Sequence, residues 1–236
     1  VGLFLIIMGV QGAGKGEQAR KIQSKYGIPQ VSTGDLFRAM RSRTDEFALK
    51  ITKRMDSGEL ISDEDTNEIV RQRLSQPDAA NGVILDGYPR TPGQAAWLEK
   101  HLAEQGQKIN AVLLLDLNLY DAFRRAFGRV STSDGTSYNI YTNAESIQWQ
   151  FSDHPEAAYP PRLDATLKTT GEKLKRRADD ASAHAIIKRI DKYLQETQPL
   201  IAYYREKGLV QMVDAAQSIE VVSQQIISII DAAKSR

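Results

Sequence analysis

Leu3-Phe4-Leu5-Ile6-Ile7-Met8-Gly9-Val10-Gln11-Gly12-Ala13-Gly14-Lys15-Gly16 decides the fold: an apolar run of strand character empties directly into a glycine-rich loop and a lysine. A polyphosphate bound across a loop needs backbone N–H groups turned inward, and side chains on that loop would obstruct them. Glycine removes the obstruction. Lys15 follows the last loop glycine, where its ammonium can reach the β and γ phosphates of a nucleoside triphosphate while the next helix presents its positive N-terminal end. Gly9 to Lys15 matches G-x-x-x-x-G-K. The general motif continues with Ser or Thr, but here Gly16 takes that place and Glu17 and Gln18 follow.

At 236 residues, with 41% hydrophobic and 26% charged residues, the chain suits one α/β domain with an insertion. A net charge of +1 supplies no field to hold it on nucleic acid or an anionic membrane, so neither is expected as a partner. The absence of cysteine excludes disulfides, thiol nucleophiles and cysteine-based zinc sites. No apolar run approaches the length of a membrane span, and the N-terminal run is too short for a signal sequence. A soluble, cytoplasmic protein is expected.

Apolar runs at Leu3–Met8, Gln30–Ser32, Val83–Leu85, Val112–Leu115 and Val210–Val213 are separated by helical patterns, the signature of a five-stranded parallel sheet wrapped by helices. Asp86, Asp116 and Asp214 close the last three, at the strand ends where such sheets gather ligands. Helical spacing marks 17–26, 35–40, 45–57, 63–75, 91–105, 120–127, 180–205 and 218–234. Within 180–205, Ile186, Ile187, Ile190, Tyr193, Leu194 and Thr197 read as one core stripe. Periodicity fails from Gly128 to about Lys175. A structureless loop of that length is uncommon, so the segment reads as an inserted subdomain covering the site.

Phosphoryl transfer asks a protein for positioning and positive charge more than for covalent chemistry. Arginines stand where that chemistry needs them. Arg38 follows the turn Ser32-Thr33-Gly34-Asp35, and Arg90 follows Asp86-Gly87-Tyr88-Pro89. Arg125 and Arg129 flank the inserted segment on one side, and Arg177 on the other. Asp86, at the end of an apolar run, is placed to hold magnesium directly or through water.

Together these motifs make the chain resemble the adenylate kinases, within the nucleoside monophosphate kinases. The resemblance covers nearly the whole length. Its marks are Gly9 to Gly16; Ser32 to Leu36 with Arg38; Leu85 to Thr91; Gly128-Arg129 with Gly135 and Tyr138; Arg177 with Asp179-Asp180; and Pro199-Leu200-Ile201 with Tyr203-Tyr204. It implies the P-loop nucleoside triphosphate hydrolase-like fold and magnesium-dependent interconversion of ATP and AMP with two ADP. Residues 1–34, 76–127 and 176–236 would form the core, 35–75 the AMP-binding segment and 128–175 the lid. By the same resemblance Gly12, Ala13, Gly14, Lys15, Gly16 and Glu17 hold the ATP phosphates, Arg129, Ser137 and Tyr138 approach ATP from the lid, and Gln217 lies near its base. AMP falls to Thr33, Arg38, Glu59, Leu60, Ile61, Gly87, Tyr88, Pro89, Arg90 and Gln94. Arg125, Arg177 and Arg189 gather around the phosphates in transit, with Arg177 and Arg189 also on the AMP side. A monomer is implied. The alternatives are a kinase for UMP, CMP or another nucleoside monophosphate, and a nucleotide-binding homologue that has lost turnover.

Departures from the pattern sharpen particular residues. Glu17 stands where the family has threonine. A carboxylate about 5 Å from a phosphate charge would cost about 3 kcal/mol at an effective dielectric of about 20. The harmless reading turns it outward, three and four residues ahead of Arg20 and Lys21. Tyr141 replaces the usual lid phenylalanine, and an insertion runs from Thr142 to Tyr159. Without cysteine the zinc-bearing lid of some relatives is excluded, and His154 reads as a surface residue rather than a metal ligand. Trp149, Phe151 and Tyr159 are expected to form a small lid core. An extra residue between Asp180 and Arg189 would turn the helix by about 100° and carry Arg189 off the phosphates unless absorbed at the helix start.

Overall fold

The computed structural model describes residues 2–57, 59–153, 162–176, 180 and 182–234. Strand β1 (Leu3–Gly9) is buried along its whole length, as an apolar run with no polar alternation demands. Around it lie β2 (Gln30–Ser32), β3 (Gly82–Asp86), β4 (Ile109–Asp116) and, closing the sheet, the strand Val210–Asp214, here β9. The order is β2-β3-β1-β4-β9, and every pairing is parallel. Each expected strand is present, lengthened by a few residues at most. Register aligns Ser32 with Asp86, Ile7 with Asp86, Gly9 with Leu115 and Asp116 with Asp214, so the strands' carboxyl ends share one edge.

The helices are α1 (Lys15–Tyr26), α2 (Thr33–Met40), α3 (Glu46–Ser57), α4 (Asp63–Leu74), α5 (Pro92–Ala103), α6 (Leu119–Phe127), α7 (Ala183–Glu206) and α8 (Ile219–Lys234). Local chemistry sets several starts. Ser62, Thr91 and Asn118 cap α4, α5 and α6 by accepting from the N–H three residues on, and Pro92 pre-sets the first turn of α5.

Two compact units are distinguished. One comprises Val1–Gly9, Gly14–Asp116 and Gln195–Arg236; the other comprises Val10–Ala13 and Leu117–Leu194. In the first, Phe4, Ile6, Met8, Leu85, Leu98, Val112 and Tyr204 belong to one core under the sheet. A second cluster, Met40, Ala48, Ile51 and Ile69, binds α2, α3 and α4 to one another. Buried Asp65 on α4 ties that helix to α3 by accepting from Lys50 Nζ at 2.7 Å and Arg54 Nη1 at 3.0 Å.

The second unit holds α6 and four short strands. They pair antiparallel as β5 (Arg129–Ser131) with β6 (Ser137–Asn139), and β7 (Ile147–Ser152) with β8 (Arg162–Leu167). Two expectations about side chains are corrected here. The small core is Val130, Ile140, Ile147, Leu163, Ala165 and Leu174, whereas Trp149 and Phe151 are exposed on β7 and stack edge to face on each other. Trp149 and Phe151 share the strand face of Ile147, opposite Ala165 and Leu163, yet each keeps more than a third of its surface exposed. The expected third aromatic, Tyr159, and His154 lie outside the described residues. On α7 the buried stripe takes Ile186 and Ile190 but not Ile187, which is 49% exposed. Residues four apart share a helix face, and the neighbour of one of them is rotated off it.

Candidate active site

The loop after β1 has the backbone its glycines anticipate. Gly12 and Gly14 take φ of +86° and +89°, a left-handed region that costs residues with a Cβ. Gly12 has a second reason to be glycine: a Cβ there would lie 2.8 Å from the Ala122 carbonyl oxygen and 3.2 Å from Arg125 Cβ, both on α6. Gly14 forms the N-cap of α1 with no side-chain cap, so the first-turn N–H groups are not taken by a capping side chain. The Lys15 ammonium donates to the Gly9 carbonyl at 2.6 Å. Gly16 has open space around its Cβ position, so its place in the helix imposes no need for glycine. Glu17 pairs with Arg20 in an i,i+3 contact along α1, as the outward reading anticipates.

Asp86, at the end of β3, accepts from Gln30 Nε2 at 3.0 Å. Burial raises its pKa above the ordinary carboxylate value, opposed by the Lys15 charge and the Gln30 hydrogen bond. The next turn joins several expected residues into a network. Thr33 Oγ1 donates to the Gly87 carbonyl at 2.9 Å, and Arg90 Nε donates to the same oxygen at 3.0 Å. Gln94 Oε1 accepts the Arg90 backbone N–H at 2.8 Å. Tyr88 is buried with its hydroxyl donating to Asn67 Oδ1 at 2.6 Å, and the Tyr88–Pro89 peptide is cis. Arg38 is exposed and paired with Asp35. Glu59 and Leu60 are exposed and Ile61 half-buried, just before α4. Gln217 donates to Asp214 Oδ2 at 2.9 Å beyond β9.

In the second unit, Asp180 is wholly buried and organises two of the expected arginines. Arg129 Nε donates to Asp180 Oδ2 at 2.8 Å, and Arg189 Nη1 donates to Oδ1 at 2.9 Å. Arg189 therefore faces the same carboxylate as Arg129, and α7 begins at Ala183 rather than at Asp180. The Arg125 backbone carbonyl accepts from Asn139 Nδ2 at 2.7 Å. Ser137 and Tyr138 pair across the hairpin with Ser131 and Val130. Gly128 is required by close packing, because a Cβ there would lie 2.6 Å from the Tyr141 ring. Arg177 lies outside the described residues.

Three residues of these networks carry no mark in the sequence reading as site residues. Asp63 accepts from Gln94 Nε2 at 2.7 Å and from Thr91 Oγ1 at 2.6 Å. Asp180 appeared only inside a motif. Arg176 donates to the Phe127 carbonyl at 2.8 Å and lies 4.7 Å above that residue's ring. The place of Asp63 at the start of α4, directly after the cap Ser62, could have flagged it as a helix-start acid, but not as a partner of Gln94 across a long stretch of sequence.

Among the described residues no group of three or more His, Asp or Glu could hold a metal, and no helix is long and apolar enough to cross a membrane. A single half-buried carboxylate at a strand end suits magnesium, which keeps waters and shares its shell with phosphates rather than sitting in a protein cage.

Comparison with known proteins gives a consistent result. The family model described as "Adenylate kinase" matches residues 7–209. The chain is 39% identical to an adenylate kinase of Methanosarcina acetivorans over 226 residues, covering 96% of this chain and 97% of that one. It is 38% identical to an adenylate kinase of Archaeoglobus fulgidus, covering 98% and 99% of the two chains, and 37% identical to one of Ruminiclostridium cellulolyticum, covering 94% and 97%.

Proposed function

The chain belongs to the adenylate kinase family, and from that premise we propose that it catalyses reversible, magnesium-dependent phosphoryl transfer, ATP + AMP to two ADP. The observation that carries this reading is the pairing, along one sheet edge, of a triphosphate loop with a second phosphate-directed turn. Lys15 belongs to the first, and the Thr33, Gly87, Arg90 and Gln94 network to the second.

In this reading a phosphate oxygen of AMP attacks the γ phosphorus of ATP in line, and the bond from that phosphorus to the β–γ bridging oxygen breaks as ADP departs. No covalent enzyme intermediate forms. Lys15 and the first-turn N–H groups of α1 neutralise the ATP phosphates, while Gly12 to Glu17 shape the loop around them. Arg38 and Arg90 hold the AMP phosphate, with Thr33, Glu59 to Ile61 and Gly87 to Pro89 lining its nucleoside. Arg125, Arg129, Arg177 and Arg189 supply charge to the transferring group, and Ser137, Tyr138 and Gln217 contact ATP. Such preorganised charge stabilises the transition state without reorganisation at the moment of reaction. Magnesium, when bound, spreads the charge of the phosphate oxygens, and Asp86 would hold it through water.

Gln94 and the long inserted segment favour AMP over a pyrimidine nucleotide as acceptor. The Glu17–Arg20 pair supports turnover over a role as an inactive binding homologue, since it engages the one carboxylate that departs from the loop's usual chemistry. Work as a cytoplasmic monomer is part of the same reading. A coupled assay of ADP formation with each of AMP, GMP, CMP and UMP tests the proposal. AMP is the expected acceptor by kcat/KM, and a pyrimidine preference overturns it.

A further inference from the structure

Gln94 is held between two partners whose polarity cannot change. Its Oε1 accepts from the Arg90 backbone N–H at 2.8 Å, a group that only donates. Its Nε2 donates to Asp63 Oδ1 at 2.7 Å, and a carboxylate at neutral pH only accepts. Turning the amide over would set N–H against N–H and carbonyl against carboxylate. The side chain, 5% exposed, therefore has one orientation.

The carboxylate is fixed in turn. Thr91 Oγ1 donates its single proton to Asp63 Oδ2 at 2.6 Å, so the same oxygen is left to accept the Gln94 backbone N–H at 3.1 Å and cap α5. Gly93 makes room for this arrangement, since a Cβ there would stand 3.1 Å from Asp63 Oδ2. Asp63 opens α4 and Gln94 lies in the first turn of α5, so the contact joins two helix starts that the chain brings together only on folding.

An amide has two N–H bonds and two acceptor positions, and the two contacts leave one of each for a third partner. Adenine offers an amino donor beside a ring-nitrogen acceptor. Guanine offers the opposite order, a carbonyl acceptor beside a ring N–H. An amide of fixed polarity suits one of them, whereas an amide free to turn serves both. We propose that Asp63 is a positioning residue that sets base selectivity at the monophosphate site, by locking the Gln94 amide in the polarity that matches adenine. The inference rests on the reading of Gln94 as a contact of the AMP base.

The test compares the full-length wild-type protein with Asp63→Ala and Asp63→Ser, measuring kcat and KM for AMP and GMP at saturating ATP and magnesium, KM for ATP, and the melting temperature. Serine favours a helix start but is too short to reach Gln94, which guards against a variant that merely fails to fold. Both variants are expected to raise KM for AMP about tenfold and to shrink the AMP:GMP ratio of kcat/KM by a similar factor, with KM for ATP within about twofold of wild type. Asp63→Asn, which still offers a carbonyl oxygen to Gln94, is expected to restore most of the ratio. In a Gln94→Leu background, Asp63→Ala should no longer alter the ratio. An unchanged ratio in folded Asp63→Ser, a parallel rise in KM for ATP, or an undiminished effect in the Gln94→Leu background would overturn the proposal. A wild-type protein that uses GMP as readily as AMP would instead contradict the reading of Gln94 itself.

Discussion

Asp180, with no exposed surface, accepts from both Nε and Nη2 of Arg129 at a single carboxylate oxygen. Its other oxygen takes Arg189, so one buried anion orients two arginines assigned to phosphoryl transfer. Asp180 is buried while Arg129 and Arg189 keep 20% and 34% of their side-chain surface exposed, so removing it costs the charge-assisted hydrogen bonds it accepts, about 1–3 kcal/mol. Asp180→Ala should lower the urea midpoint accordingly and reduce kcat as well. A variant with wild-type stability and turnover would show that the two arginines hold their places without it.

The loop glycines should differ in sensitivity. Gly12→Ala meets both a left-handed backbone and a carbonyl 2.8 Å from the new Cβ, whereas Gly14→Ala meets only the backbone cost. The second should destabilise by about 1–2 kcal/mol, and the first by clearly more. Thermal denaturation of the two variants checks the order, and equal losses would show that the Ala122 contact is unimportant.

Glu17→Thr restores the residue common in the family, yet should change little. Its carboxylate is held by Arg20 along the exposed flank of α1, and surface pairs of this kind contribute about 0–1 kcal/mol. kcat/KM for ATP should stay within about threefold of wild type. A gain of a hundredfold would mean that Glu17 reaches the phosphates.

Burial raises the Asp86 pKa, which fixes the sign of its effect on stability. Between the ordinary carboxylate value and the raised one, the folded chain binds more protons than the unfolded chain, so stability falls as pH rises through that window. Asp86→Asn should therefore raise the melting temperature of the nucleotide-free protein at neutral pH, the gain shrinking as pH falls, while activity is lost. Melting curves across acidic and neutral pH would contradict this if the variant were less stable than wild type at neutral pH.

Much of this was legible in the chain. Fully buried parallel strands are plain apolar runs, so β1 and β4 declared themselves, and glycine, proline and capping residues marked where α1 and α5 begin. What escaped were relations between distant residues. Trp149 and Phe151 looked like a core because aromatics usually are. Both do lie on the face of β7 that carries Ile147, opposite Ala165 and Leu163 of β8, yet the two-stranded sheet leaves more than a third of each exposed. Asp63 and Asp180 look like helix-start acids in sequence, and only the folded chain brings them to Gln94 and to Arg129 with Arg189.

The central claim, a lysine-bearing loop that transfers a phosphoryl group between two nucleotides, is tested most directly by Lys15→Met. Removing the ammonium that meets the Gly9 carbonyl takes away a charge proposed to act on the ATP phosphates and should leave the apolar sheet intact. ADP formation from ATP and AMP should fall by at least about a hundredfold, with circular dichroism and melting behaviour close to wild type. Near-normal turnover in the folded variant would contradict the placement of the phosphate site.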